Sequence, residues 1–131
     1  GLLGISGKYS DHRDIESAMA EGEHVAILAN NMYINRVVEY IAKYYVELDG
    51  KVDAIVFTAG LGENAREFRE AILNKLGSLG ICVDHDKNSK IASYLDKHEG
   101  VISSDESSVE VYVVPTNEEL MIALDTYELI R

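Results

Sequence analysis

The sequence predicts an α/β fold, and three observations predict it. Ala54-Ile55-Val56-Phe57 is a short apolar run of β-formers, which suits a strand covered on both faces. Val109 to Val114 is a second such run, stopped by Pro115. Elsewhere apolar residues recur at three- and four-residue steps, the period of helices that lay one face on a core.

Composition bounds the class. A chain of 131 residues with 47% hydrophobic side chains is long enough for one domain with a real core. With 23 acidic and 12 basic residues, the net charge of -11 argues against a broad nucleic-acid-binding face and for solubility. The single cysteine, Cys82, excludes an internal disulfide framework and offers no zinc spacing, so a reducing cytoplasm is the expected compartment. No apolar segment approaches a membrane span, and no signal-peptide pattern opens the chain. The first residue is not Met and the chain starts inside an apolar, glycine-rich phrase, so a fragment of a longer protein is expected.

Gly1 to Asp14 reads as a glycine-rich loop entering a helix, with Asp14 or Asp11 as the cap of a helix from about Ile15 to Ala20. Asp11 and Arg13 are two apart, too close to share a helical face, so extended backbone is expected if both point one way. Their bland reading is a surface ion pair. Their functional reading is a guanidinium fork for phosphate or a stacking surface for a base, with the carboxylate accepting from sugar hydroxyls or orienting the arginine.

From about His24 to Leu48 a long helix is expected, with Ile34, Val38, Ile41, Tyr45 and Leu48 on one face. Tyr33, Val37, Tyr40 and Tyr44 broaden that face, which suits cover by a second layer or another subunit. Asp49-Gly50-Lys51 ends it and leads into the Ala54 strand. Gly60 and Gly62 follow, allowing backbone conformations closed to other residues or a close approach to a ligand. Asn64 is placed to cap a helix from Ala65, with Glu67 at a capping-box spacing. Two readings of this turn stand: an anion or nucleotide site at the sheet edge, and an ordinary strand-turn-helix connection.

The third helix carries Phe68, Ile72, Leu76 and Leu79 on its apolar stripe and Arg66, Glu67, Arg69, Glu70 and Lys75 on its wet side. Ile81 to Val83 suits a short strand and Asp84 to Ser89 a solvated loop, since His85 between two aspartates lacks metal-ligand spacing. Val101-Ile102 is expected to pair weakly. After Pro115, Thr116 and Glu119 have capping-box spacing, and Leu120, Ala123, Leu124 and Tyr127 trace the inner stripe of a terminal helix.

Three stretches in this order resemble the C-terminal portion of the acetate kinase (acetokinase) family: Gly1-Leu-Leu-Gly-Ile-Ser-Gly7 with Ser10-Asp11-x-Arg13-Asp14, Asp53 to Asn64, and Val114 to Ala123. Tyr9 stands where a serine is more usual, Leu61 for an isoleucine or valine, and Leu124 for a more polar residue. The resemblance implies the ribonuclease H-like, actin-like ATPase fold of the acetate and sugar kinase superfamily. There ATP binds between two duplicated domains, and residues 1–131 make up most of the second. It implies that Asp11, His12 and Arg13, with Gly60, Leu61, Gly62, Glu63 and Asn64, line the nucleotide, and that Glu118 belongs to a Mg2+ site. Glu119 in the capping-box role leaves Glu118 free of it. The family's catalytic acid and its transition-state-stabilising histidine and arginine would lie upstream of Gly1, so no catalytic residue is expected here and the fragment alone should be inactive.

The implied reaction is reversible phosphoryl transfer from ATP to acetate, giving acetyl phosphate and ADP. Propionate or butyrate kinase is the near alternative, and a non-catalytic actin-like nucleotide-binding module the distant one. A homodimer through the helix from His24 to Leu48 is implied, with no nucleic-acid or membrane partner.

Overall fold

A computed structural model describes residues 1–131. A three-stranded sheet, β1 (Ala54–Phe57), β2 (Gly100–Val101) and β3 (Glu110–Val113), has the order β1-β3-β2, with β3 parallel to β1 and antiparallel to β2. The strand alternation decides what faces the helices. Phe57, Val111 and Val113 point into the core while Val56 is 53% exposed. The first strand is therefore covered on one face, not two, because nothing in residues 1–131 packs on the Val56 side.

The helices are α1 (Leu2–Ser6), α2 (His12–Ala20), α3 (His24–Glu47), α4 (Ala59–Asn64), α5 (Arg66–Leu73), α6 (His85–Ser89) and α7 (Glu118–Leu129), with a 3-10 turn at Gly77–Leu79. The main core joins Ile34 of α3, Phe68, Ile72 and Leu73 of α5, the strand residues above, and Leu76, Ile81, Ile91 and Ile102 from the connections. A smaller cluster of Ile15, Ala18, Ala26 and Ala29 binds α2 to α3, with Leu2 of α1 against it. Small residues there let the two helices lie close. Val38, Ile41 and Tyr45 pack as the helical period predicts, whereas Leu48, past the end of α3, is exposed.

Several local expectations are corrected. The Gly1–Asp14 loop contains a helix, α1, ended by Gly7 in the left-handed region at φ 71°. Ile81 to Val83 forms no strand, only a single antiparallel bridge from Val83 to Ser103. The segment Asp84–Ser89 is not a solvated loop: Asp84 caps α6 by accepting from the Lys87 amide, and Asn88 is buried. Arg69 does not lie on the wet side of α5 but is wholly buried, because Leu73, one turn on, carries the buried face round to it. Finally, α7 has the predicted stripe but buries none of it. Leu120, Leu124 and Tyr127 are all exposed, since no surface of the chain lies opposite.

Candidate functional site

At the C-terminal end of β1 the chain turns through Thr58 and then Ala59, whose φ of 59° is unusual for a residue with a side chain, directly into α4. The left-handed residue is thus Ala59 rather than either glycine. Gly62 is needed for packing: a Cβ there would lie 3.2 Å from the carbonyl carbon of Phe57, so α4 rests on the end of its own strand. A Cβ on Gly60 would meet nothing, since that residue faces an open cavity.

That cavity, of about 590 Å³, is lined by Asp11, His12 and Arg13 at the start of α2, by Gly60, Leu61 and Asn64 of α4, and by Glu16, Ala65, Glu67 and Tyr94. Two stretches some fifty residues apart in sequence thus form its opposite walls. Asp11 is the cap of α2, accepting from the Arg13 amide at 2.9 Å in extended backbone. The same carboxylate takes the Arg13 guanidinium side-on, Oδ1 from Nε at 3.1 Å and Oδ2 from Nη2 at 2.6 Å. Arg13 lies in the helix, not in extended chain, and its side chain folds back to reach the cap. These bonds from Arg13 hold the Asp11 carboxyl down to about 2, so it is ionised at neutral pH. The arginine side chain stays 88% exposed over the cavity mouth.

His12 is wedged rather than free. Its Nε2 donates to Asn30 Oδ1 of α3 at 3.1 Å, its Nδ1 lies 3.3 Å from Glu16, and its ring meets Phe68 and Tyr33 edge-on at 5.3 and 6.2 Å between centroids. It fixes the floor of the cavity to α3 and α5.

Asn64 does not cap the next helix. Its Nδ2 donates to the Gly60 carbonyl at 2.9 Å, closing α4 on itself, and its Oδ1 accepts from the amide and hydroxyl of Ser93. The Ser93 bond brings Tyr94 to the rim, where the Arg66 guanidinium lies 5.9 Å from its ring centre. Ala65, with no side-chain oxygen, precedes α5, and Glu67 is exposed without a capping bond.

Two of the expected nucleotide residues do not line the cavity. Gly62 is turned to Phe57, and the Glu63 side chain points inward, accepting from the Thr116 amide at 2.9 Å and hydroxyl at 3.1 Å. Thr116 is consequently not the cap of α7. Asn117 takes that place, its side chain accepting from the Leu120 amide at 3.0 Å, so the expected Thr116 and Glu119 capping box does not form. Glu118 is exposed in the first turn of α7 and lines a separate, shallower recess with Thr116, Asn117, Met121 and Ile122.

Arg69 holds this arrangement from beneath. Its Nε donates to Asn88 Oδ1 at 2.8 Å, Nη1 to the carbonyls of Gly62 and Glu63 at 2.9 and 2.8 Å, and Nη2 to those of Asn88 and Ile91 at 3.2 and 2.8 Å. All five donors of the guanidinium are used, none on a carboxylate. Burial lowers its pKa to about 10, which leaves it cationic at neutral pH.

A sequence model of the Acetokinase family matches residues 1–124. The chain belongs to the acetokinase family. It is 49% identical over 131 residues to the acetate kinase of Finegoldia magna, covering 100% of this chain and 32% of that protein. The crystal structure of the Porphyromonas gingivalis acetate kinase superposes with a TM-score of 0.83 at 42% identity, over 100% of this chain and 32% of that one. A propionate kinase from Francisella tularensis superposes at 0.80, also at 42% identity, over 94% of this chain and 29% of its own. The chain therefore spans about a third of the length of the acetokinases it matches. Its α/β fold is that of the acetate and sugar kinase, actin-like superfamily.

Among the acetokinase residues named from sequence, the cavity gathers Asp11, His12, Arg13, Gly60, Leu61 and Asn64. Sequence reading missed Glu16, Ala65, Glu67 and Tyr94 as lining residues. Glu16 had a signal, being one turn from His12 on the same helix. Tyr94 had none, since only the Asn64 to Ser93 bonds bring it there.

Proposed function

We propose that residues 1–131 form the nucleotide-binding part of a kinase that transfers the γ-phosphoryl of ATP reversibly to acetate, giving acetyl phosphate and ADP. The observation that carries this reading is the meeting of the Asp11-His12-Arg13 stretch with Gly60, Leu61 and Asn64 around one cavity. Its lining carries three acidic residues, Asp11, Glu16 and Glu67, against one arginine, Arg13. That balance suits the nucleoside end of the ligand better than its phosphates. The Asp11 carboxylate accepts from ribose hydroxyls, and the exposed face of Arg13 stacks on the base.

The phosphates then run out of the cavity, where cationic help has to come from elsewhere. No group of three or more His, Cys, Asp or Glu side chains is arranged as a cage for a metal ion. Magnesium does not require one: it keeps several waters and takes one or two carboxylates plus phosphate oxygens. Glu118, exposed and acidic, fits that donor set. When bound, the ion neutralises charge building on the transferred phosphoryl group. The part of this chain is to hold and orient the nucleotide, with the residues that act on the acceptor placed outside 1–131. By itself the chain is then expected to make no acyl phosphate.

The whole protein is read as a cytoplasmic homodimer pairing through α3, whose Tyr40 and Tyr44 are exposed. No helix is long and apolar enough to cross a membrane. Equal identity to an acetate and a propionate kinase leaves acceptor length to experiment. A hydroxamate assay of the whole protein with acetate, propionate and butyrate tests the reading. Acetate is expected to give the highest kcat/KM. Arg13→Ala is expected to raise the KM for ATP about tenfold, the loss of one charge-assisted contact, with little change for acetate. Glu118→Gln is expected to lower kcat and shift the magnesium dependence to higher concentration, whereas Glu119→Gln does neither. Arg13→Ala acting on acetate alone, or an unchanged magnesium curve in Glu118→Gln, refutes the assignment.

A further inference from the structure

We infer that Glu63 does not bind the nucleotide but is a positioning residue for Glu118, holding the chain at Thr116 so that the first turn of α7 presents its carboxylate in one place. This rests on the reading of Glu118 as the magnesium carboxylate. Glu63 stands in α4, whose residues Gly60, Leu61 and Asn64 line the cavity, yet Glu63 is only 8% exposed and its side chain turns the opposite way. Its Oε1 accepts both the amide and the hydroxyl of Thr116, 53 residues along the chain. Both donors are neutral. A buried carboxyl group bonded through one oxygen to two neutral donors is a costly way to fasten two segments, and an apolar pair would do it better if stability alone were at stake. What the carboxylate supplies is direction, since two bonds to one residue fix its backbone and side chain together.

The connection on either side is short and fixed. Behind Glu63, Arg69 holds the carbonyls of Gly62 and Glu63, so the carboxylate is presented from a stiff base. Ahead of it, Thr116 is followed at once by Asn117, whose side chain caps α7, and then by Glu118. One residue separates the held backbone from the proposed ligand. The single short helix α4 thus faces the cavity with Asn64 and steers Glu118 with Glu63, which couples the two halves of the proposed site.

The test uses the whole protein and three readouts: magnesium titration of kcat, metal-free ADP binding by calorimetry, and amide hydrogen exchange at Thr116. Glu63→Ala is expected to raise the magnesium concentration for half-maximal kcat about tenfold, as loss of an outer partner of a metal ligand does, while metal-free ADP affinity stays within about twofold. Exchange at the Thr116 amide is expected to accelerate. Glu63→Gln, which keeps the acceptor oxygen, should recover most of the magnesium response, and adding Glu63→Ala to Glu118→Gln should shift it no further. A Glu63→Ala enzyme that loses metal-free ADP affinity with an unchanged magnesium curve overturns the inference in favour of direct nucleotide contact. A uniform fall in kcat with neither curve moved makes Glu63 merely structural and overturns it too. If Glu118→Gln alone leaves the magnesium curve in place, the metal reading is what fails. If Glu118→Gln shifts the curve and Glu63→Ala does not, only the positioning role fails.

Discussion

Replacing Arg69 with methionine keeps the length of the buried stem and removes the guanidinium, so it isolates what the five hydrogen bonds do. Five acceptors lose their partner at once: the carbonyls of Gly62, Glu63, Asn88 and Ile91, and Asn88 Oδ1. Each buried acceptor left unpaired costs about 1–3 kcal/mol, although such losses do not add. Part is recovered, because the charge whose desolvation lowers the pKa to about 10 is gone as well. A net loss of about 3–5 kcal/mol is expected, the upper end of single-substitution effects and a large share of the roughly 5–15 kcal/mol that holds a domain folded. Arg69→Lys keeps the charge but offers three donors for five acceptors, and about half the loss is expected. Urea denaturation of the whole protein, followed by circular dichroism, measures both. The ATP KM should rise in parallel, since Gly62 and Glu63 carry the cavity wall. Arg69→Met within about 1 kcal/mol of the parent would show that the carbonyls find other donors and that this arginine is not the support of α4.

Three further outcomes follow from single residues. Ala59→Gly removes a side chain from the left-handed region, which costs about 1–2 kcal/mol, and after the added chain entropy of glycine a gain of up to about 1 kcal/mol is expected; a lowered melting temperature would contradict it. Gly62→Val forces a branched side chain against the Phe57 backbone, so a loss of about 1–3 kcal/mol with a raised ATP KM is expected, and a variant with parental melting temperature and KM would refute the close packing of α4 on β1. The Asp11 carboxyl, held down to about 2 by Arg13, is depressed relative to the unfolded chain. The stability it contributes is complete above about pH 4 and is lost as pH falls through about 2. A midpoint near the ordinary carboxylate value in a 13C NMR titration would show that the ion pair does not persist in solution.

Periodicity carried most of the fold. The runs at Ala54 and Val109 became parallel neighbours, and the three- and four-residue steps of α3 and α5 marked their packed faces. Local chemistry left the Asp11 to Arg13 and Gly60 to Asn64 stretches open to a bland reading, and the family resemblance singled them out; each keeps its lining residues within about one helical turn. What was not legible depended on distant partners. Arg69 looks wet among Arg66, Glu67 and Glu70; Leu73 puts it on the buried face, and the five acceptors brought by folding satisfy it there. Thr116 and Asn117 are both residue types that cap helices, and the Thr116–Glu119 spacing favoured the first on paper. The choice between them is made by Glu63, which occupies Thr116 and leaves the capping to Asn117. The inner stripe of α7 reads as core by its period, yet a period states which residues share a face and not whether anything covers it.

That uncovered helix has a thermodynamic consequence. Twelve residues lie at the length where a helix in water barely forms, since the first turn must be nucleated against an equilibrium factor of about 10⁻³ before elongation helps. In α7 the nucleus is supplied from outside the helix: Glu63 immobilises Thr116, and Asn117 closes the first turn. Helicity in solution is therefore expected to be graded along the segment, highest around Glu118 and falling towards Ile130. Any surface that later covers Leu120, Leu124 and Tyr127 would lengthen an order already begun at the end where the proposed metal ligand stands.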